Sequence, residues 1–163
     1  MMRNIRRKEK EIKSKDEMID ILKKTKYITI AMCEKNNPYL VTLTHGYDKK
    51  KNAIFFHCSN EGKKIDILRK NNIVWGQALI DDGYVTGKCD HLYSTTQFKG
   101  TVTFIDNILE KKHALQTMIT QQETMPNEVM KEQITEKKLK NVNIGRIDIT
   151  YLSGKKSDEV ILS

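Results

Sequence analysis

Proline and cysteine are scarce in this chain, and long apolar runs are missing. With two prolines in 163 residues, and no Pro/Gly/Ser-rich stretch, nothing marks a linker, and the length suits one domain with one core. The three cysteines, Cys33, Cys58 and Cys89, lie far apart and outside CxxC spacing. That argues against a disulfide framework or a zinc site, and for reduced, partly buried thiols. The longest apolar-rich run, residues 27–33, is far too short to span a bilayer. No apolar stretch follows the positive N-terminus, as a secretory signal requires. A cytoplasmic protein without a membrane part is expected. Aromatic residues make up 7% of the chain, and none alternates with basic residues to build a stacking platform for single strands. The net charge of +8 therefore reads as a lysine-rich solvated surface, and no nucleic-acid partner is expected.

Several catalytic signatures are missing as well. The four histidines, His45, His57, His91 and His113, show no HExxH spacing, so no metal site is expected. There is no GxSxG for a nucleophilic serine, and no Walker A glycine spacing for nucleoside triphosphates.

What is present is periodic pattern. Residues 1–15 have no amphipathic stripe and read as a loosely attached extension to a domain over 16–163. Ser14 and Glu17 form a capping box before Met18, Ile21 and Leu22, which predicts a helix near 15–25. Runs rich in β-formers then predict six strands, near 27–32, 39–44, 53–57, 73–80, 95–105 and 142–151. Short polar turns at 36–38 and 48–52 suggest that the first three form an antiparallel meander. The 73–80 run is apolar enough to be central, and Asp81-Asp82-Gly83 is expected to close it. Helices are predicted at about 62–70 with Ser59 as N-cap, at 107–122, and, after a loop holding Pro126, over the polar stretch 127–140. The fold class is mainly β with flanking helices: an antiparallel six-stranded split β-barrel.

One local arrangement carries chemistry. A strand ends at His57, a short polar loop follows, and a helix begins near Gly62 with Lys63 and Lys64 in its first turn. A helix N-terminus presents unpaired N–H groups and a positive dipole end. Two lysines there cost the bare helix about 0.3–1 kcal/mol per charge, which makes sense if an anion binds. Solvated lysines on a lysine-rich protein are the competing reading. The residues alone therefore yield a small barrel with an anion-binding loop and no reaction.

Read as blocks, Pro38-Tyr39-Leu40-Val41-Thr42-Leu43-Thr44-His45-Gly46-Tyr47-Asp48 and the run from Ile54 through His57, Ser59, Gly62, Lys63 and Lys64 to Asn71 resemble the FMN-binding split-barrel proteins. They are most similar to the nitroimidazole-resistance (Nim-like) branch of the pyridoxamine 5′-phosphate oxidase-related superfamily. Arg6-Arg7-Lys8 with Glu11-Ile12, the strand Tyr93-Ser94-Thr95-Thr96-Gln97-Phe98-Lys99-Gly100, and the ending Ser153-Gly154-Lys155 agree. The resemblance implies a homodimer with FMN at the subunit interface. It places Val41, Thr42, Leu43 and Thr44 along the flavin ring, and His57, Ser59, Lys63 and Lys64 around the phosphate. Thr95 and Thr96 approach from a neighbouring strand or subunit. It gives His57 a candidate catalytic part, and an oxidoreductase activity on small molecules such as nitro compounds, fed by an electron donor. Alternatives within the same resemblance are a haem-binding split barrel, with His45, His57 or His91 as ligand, and a flavin-binding module without turnover.

Overall fold

The computed structural model describes residues 5–157. The first residues that pair are Glu11–Ile12 (β1), which follow one 3-10 turn over Lys8–Lys10. The stretch expected to be a loose arm is therefore held at its C-terminal end. The helix α1, Lys15–Lys24, starts where its capping box predicts: the Ser14 hydroxyl accepts from the Glu17 amide at 3.3 Å. Its apolar face buries Met18, Ile19, Ile21 and Leu22.

The remaining strands are Tyr27–Glu34 (β2), Asn37–Thr44 (β3), Gly46–Asp48 (β4), Ala53–Cys58 (β5), Ile73–Val85 (β6), Asp90–Phe104 (β7) and Asn143–Lys156 (β8). The six long strands are those read from the pattern. Two more, β1 and β4, have two and three residues, too few to show an alternation. All pair antiparallel in the order β3-β2-β6-β7-β8-β5-β4, with β1 added on β8. The expected meander is corrected here: β2 and β3 form a hairpin, but β5 pairs with β4 and β8. The polar turn at 48–52 is real; it joins β5 to the short β4 instead of β3. The sheet curls until β3 comes beside β5 without pairing to it, and this gap is the split in the barrel.

Asp81-Asp82-Gly83 does not close β6 either. The Asp81 carboxylate accepts from the Gly83 amide at 2.9 Å, Gly83 takes φ 97°, and the extra residue is absorbed as a bulge. The turn comes later, at Gly87 with φ 84°.

The helix α2, Lys63–Lys70, lies near β2 and buries Ile65, Ile67 and Leu68; Ile67 and Leu68 join the barrel core that holds Ile30, Phe56 and Phe98. After β7 come α3 (Ile108–Gln122), α4 (Pro126–Gln133) and α5 (Glu136–Asn141). One polar helix was expected over 127–140. Thr135 breaks it by capping α5 through the Lys138 amide at 3.4 Å, and Pro126 opens α4 instead of lying in a loop. The helix α3 packs through Ala114 and Met118 on Phe55 and Ile144, forming a second core cluster. Gly46 permits this approach, since a Cβ there would meet the Met118 backbone at 2.7 Å.

Candidate functional site

The split between β3 and β5 gathers most of the residues singled out from the sequence. The start of α2 sits over it. Gly62 is the N-cap, with φ 121°, and no side chain caps the helix. Ser59, expected in that role, instead accepts from the Glu61 amide at 3.3 Å and is exposed. It lies three residues before the N-cap position, too far back to cap the first-turn amides. Among the described residues, the Lys63 and Lys64 amides meet no acceptor. The Lys63 ammonium stands 4.6 Å over the Tyr39 ring of β3, and the Lys64 ammonium 5.8 Å from the Phe56 ring of β5. The two lysines thus straddle the split. Burial pushes the neighbouring half-buried Cys58 thiol up, against the opposing charge of Lys64, which disfavours the nucleophilic thiolate.

The strand β3 is an edge, paired only with β2. Its alternation places Val41 and Leu43 against the barrel core and leaves Thr42 and Thr44 exposed. The Thr42 hydroxyl meets that of Thr29 at 3.2 Å. The ladder registers align Leu40, Ala31, Trp75, Lys99 and Tyr151 in one row across the outer face. Leu40, Ile73, Trp75 and Leu79 are all exposed there, and Trp75 meets Tyr151 edge-on at 5.8 Å. The apolar run of β6 predicted an interior strand, which it is; that one of its faces is uncovered was not readable from the run itself. Contiguous exposed apolar faces of this kind are uncommon on monomeric proteins.

Thr95 and Thr96 separate. Thr95 is half-buried and donates to the Ala78 carbonyl at 2.9 Å. Thr96 points inward, fully buried, and donates to the Met18 carbonyl at 2.9 Å, so its hydroxyl holds α1 to the barrel. The histidines separate too. His45 is fully buried with Nε2 2.7 Å from the Leu22 carbonyl. That carbonyl can only accept, so Nε2 carries the proton; Gln121, whose oxygen accepts from the Tyr47 amide, donates its nitrogen to the same carbonyl. Burial pushes the His45 imidazole below its ordinary value, outweighing the backbone bonds. His91 pairs with Asp81 at 2.7 Å and His113 with Asp48 at 2.6 Å. His57, exposed at the end of β5, is the histidine without a hydrogen-bond or ion partner among the described residues.

His57 and Thr44 also line a cavity of about 940 Å³ under α3, α4 and α5. No group of three or more metal-ligating side chains occurs among the described residues, and no helix there is long and apolar enough to cross a membrane.

A split barrel with an open strand edge and an uncapped, cationic helix start is the class this geometry defines. The sequence model for pyridoxamine 5′-phosphate oxidase matches residues 14–156, and the chain belongs to that family. Curated proteins offer no match. Solved structures share the fold. A candidate 5-nitroimidazole antibiotic resistance protein from Bacteroides thetaiotaomicron superposes with a TM-score of 0.77 at 22% identity, over 90% of this chain and 86% of that one. The flavocytochrome Anf3 from Azotobacter vinelandii gives 0.79 at 13% identity, over 98% and 75%. An FAD- and haem-binding protein from Mycobacterium smegmatis gives 0.75 at 16%, over 94% and 76%.

Proposed function

We propose that this chain is a cytoplasmic, homodimeric FMN-binding oxidoreductase of the Nim-like kind, which reduces small molecules such as nitro compounds. The observation that carries the reading is the junction of the α2 start with the open edge of β3, marked by Lys63 over Tyr39. A flavin mononucleotide has an anionic end and a flat hydrogen-bonding end, and the junction offers a place for each.

The residues present fit the group. The free amides of Lys63 and Lys64, their ammonium groups and the Ser59 hydroxyl would hold the phosphate. The unpaired backbone edge over 41–44 would bond the ring, with Thr42 and Thr44 beside it and Val41 and Leu43 anchoring the strand in the core. Thr96 serves by positioning α1. His57, free and exposed, would hold or deliver a proton at its imidazole nitrogen. FMN itself supplies the electron transfer when bound.

A second copy completes the site. Thr95 lies on β7, three strands from β3, or about 14 Å at the usual strand spacing. It would reach a flavin at the β3 edge from the partner's sheet. The apolar row through Leu40 and Trp75 would be buried in that contact. The name of one fold relative, an FAD- and haem-binding protein, agrees with flavin binding on this barrel, and that of another, a nitroimidazole-resistance candidate, agrees with nitro compounds as substrates.

Purified protein should be yellow, show flavin absorbance, and bleach with a nicotinamide donor. Colourless protein that takes up no FMN contradicts the reading. A haem reading has one observation in its favour, the unpartnered His57; it requires a Soret band that a His57→Ala change removes.

A further inference from the structure

The cavity under α3, α4 and α5 shares Thr44 and His57 with the proposed flavin contacts, and the rest of its lining lies beyond them. Its walls are mostly apolar, with Leu115, Met118, Ile119, Val129 and Val142 among them. Its volume of about 940 Å³ lies at the top of the roughly 300–1,000 Å³ range of pockets that enclose drug-sized ligands. A single-ring molecule would leave most of it empty. The far wall is α4 and α5, and α4 buries none of its residues. The half-buried Val129 of α4 faces the cavity, whereas α5 buries Leu139 and presents Lys137, Lys138 and Asn141 to it.

Charge at the cavity is uneven. Lys137 and Lys138 stand against one carboxylate, Glu123. The Lys138 ammonium is satisfied by the Glu132 carbonyl at 3.0 Å and the Gln133 side chain at 2.9 Å. Lys137 has no side-chain partner among the described residues, and neither has His57.

We propose that this chamber binds an apolar, ring-bearing organic anion of drug size, whose charged group pairs with Lys137. Because Thr44 and His57 belong both to the chamber and to the flavin site, the chamber is the substrate compartment. The substrate role rests on the flavin reading above; the binding role does not.

The test uses the full-length protein, with and without FMN, and two fluorescent probes: 8-anilinonaphthalene-1-sulfonate and its neutral analogue N-phenyl-1-naphthylamine. Val129→Asp puts a charge on the apolar wall and should weaken both probes by about tenfold or more. Gln133→Trp fills the cavity and should do the same, which covers the case in which the aspartate variant fails to fold. Lys137→Ala should weaken the sulfonate by about threefold to tenfold and leave the neutral probe unchanged. Unchanged binding in Val129→Asp and Gln133→Trp overturns the proposal. So does loss of both signals in Leu40→Asp, which would place the probes on the sheet face. Probe binding blocked by Gln133→Trp in a protein that takes up no FMN keeps the chamber and removes the flavin reading. FMN uptake with probes indifferent to Gln133→Trp does the reverse.

Discussion

The helices α1 and α2 are close in length, ten and eight residues, and each buries an apolar face in the same core. They differ at their N-termini. In α1 the end is closed: Ser14 caps it, Asp16 and Glu17 oppose the dipole, and Glu17 also holds Lys156 at 2.5 Å. Its other end is closed as well, since the Leu22 carbonyl gathers donors from His45, Gln121 and Thr25. In α2 the starting end is open. A glycine stands where α1 has serine, and Lys64 stands where α1 has Asp16; both helices begin on a lysine, Lys15 and Lys63, and the acid of α2, Asp66, comes one position later than Glu17 does in α1. Neither the uncapped Gly62 nor Lys64 at the positive end of the dipole favours the bare helix. The proposed phosphate at that end would offset both.

The comparison breaks most severely if the α2 lysines do not matter. Changing Lys63 and Lys64 together to alanine should lower FMN affinity about a hundredfold or more, some 2.7 kcal/mol, while thermal stability stays the same or rises slightly. Isothermal titration and a melting curve on the same sample read both. Gly62→Ala comes next. Its Cβ would meet nothing within 4 Å, but φ of +121° is hostile to alanine. The expected loss is about 1–3 kcal/mol of stability at α2, with FMN binding weakened alongside; denaturant midpoints measure it.

At the closed helix the readout is pH. The His45 imidazole is held below its ordinary value, so the unfolded chain takes up a proton before the folded one does. Its contribution is fully present above the unfolded value near 6.5 and is lost as pH falls from there toward the folded value. The slope approaches about 1.4 kcal/mol per pH unit for one proton. His45→Gln should flatten that part of a stability-against-pH series. The smallest effect expected is Ser14→Ala, about 1 kcal/mol of stability, with FMN affinity untouched. If Ser14→Ala weakened FMN as much as the lysine changes do, the contrast between the two helices would mean nothing.

Much of this was legible in the chain. The six long strands and α1 follow from alternation and a capping box, signals that lie within a few neighbouring residues. The pairing of β5 with β8 was not legible. It joins residues some ninety positions apart, as in Ile54 with Ile147, and nothing local encodes it. The β6 bulge was missed because Asp-Asp-Gly serves a bulge as well as a turn. At the site, Lys63, Lys64 and Gly62 were visible as a helix start, and the family resemblance implied the phosphate of FMN as its anion. The outer apolar row was invisible, since Leu40 and Trp75 become neighbours only through the β2 and β6 registers. Thr96 looked like Thr95 in sequence; only the strand's alternation sends one outward and the other to the Met18 carbonyl.

The central claim is that the open end of α2 exists for a phosphate. It is tested most directly by titrating the apoprotein with FMN and, separately, with riboflavin, which differs only in lacking that phosphate. The account predicts that FMN binds at least about a hundredfold more tightly, and that the preference disappears in the Lys63→Ala, Lys64→Ala double variant. Equal affinity for FMN and riboflavin in the unaltered protein would contradict it.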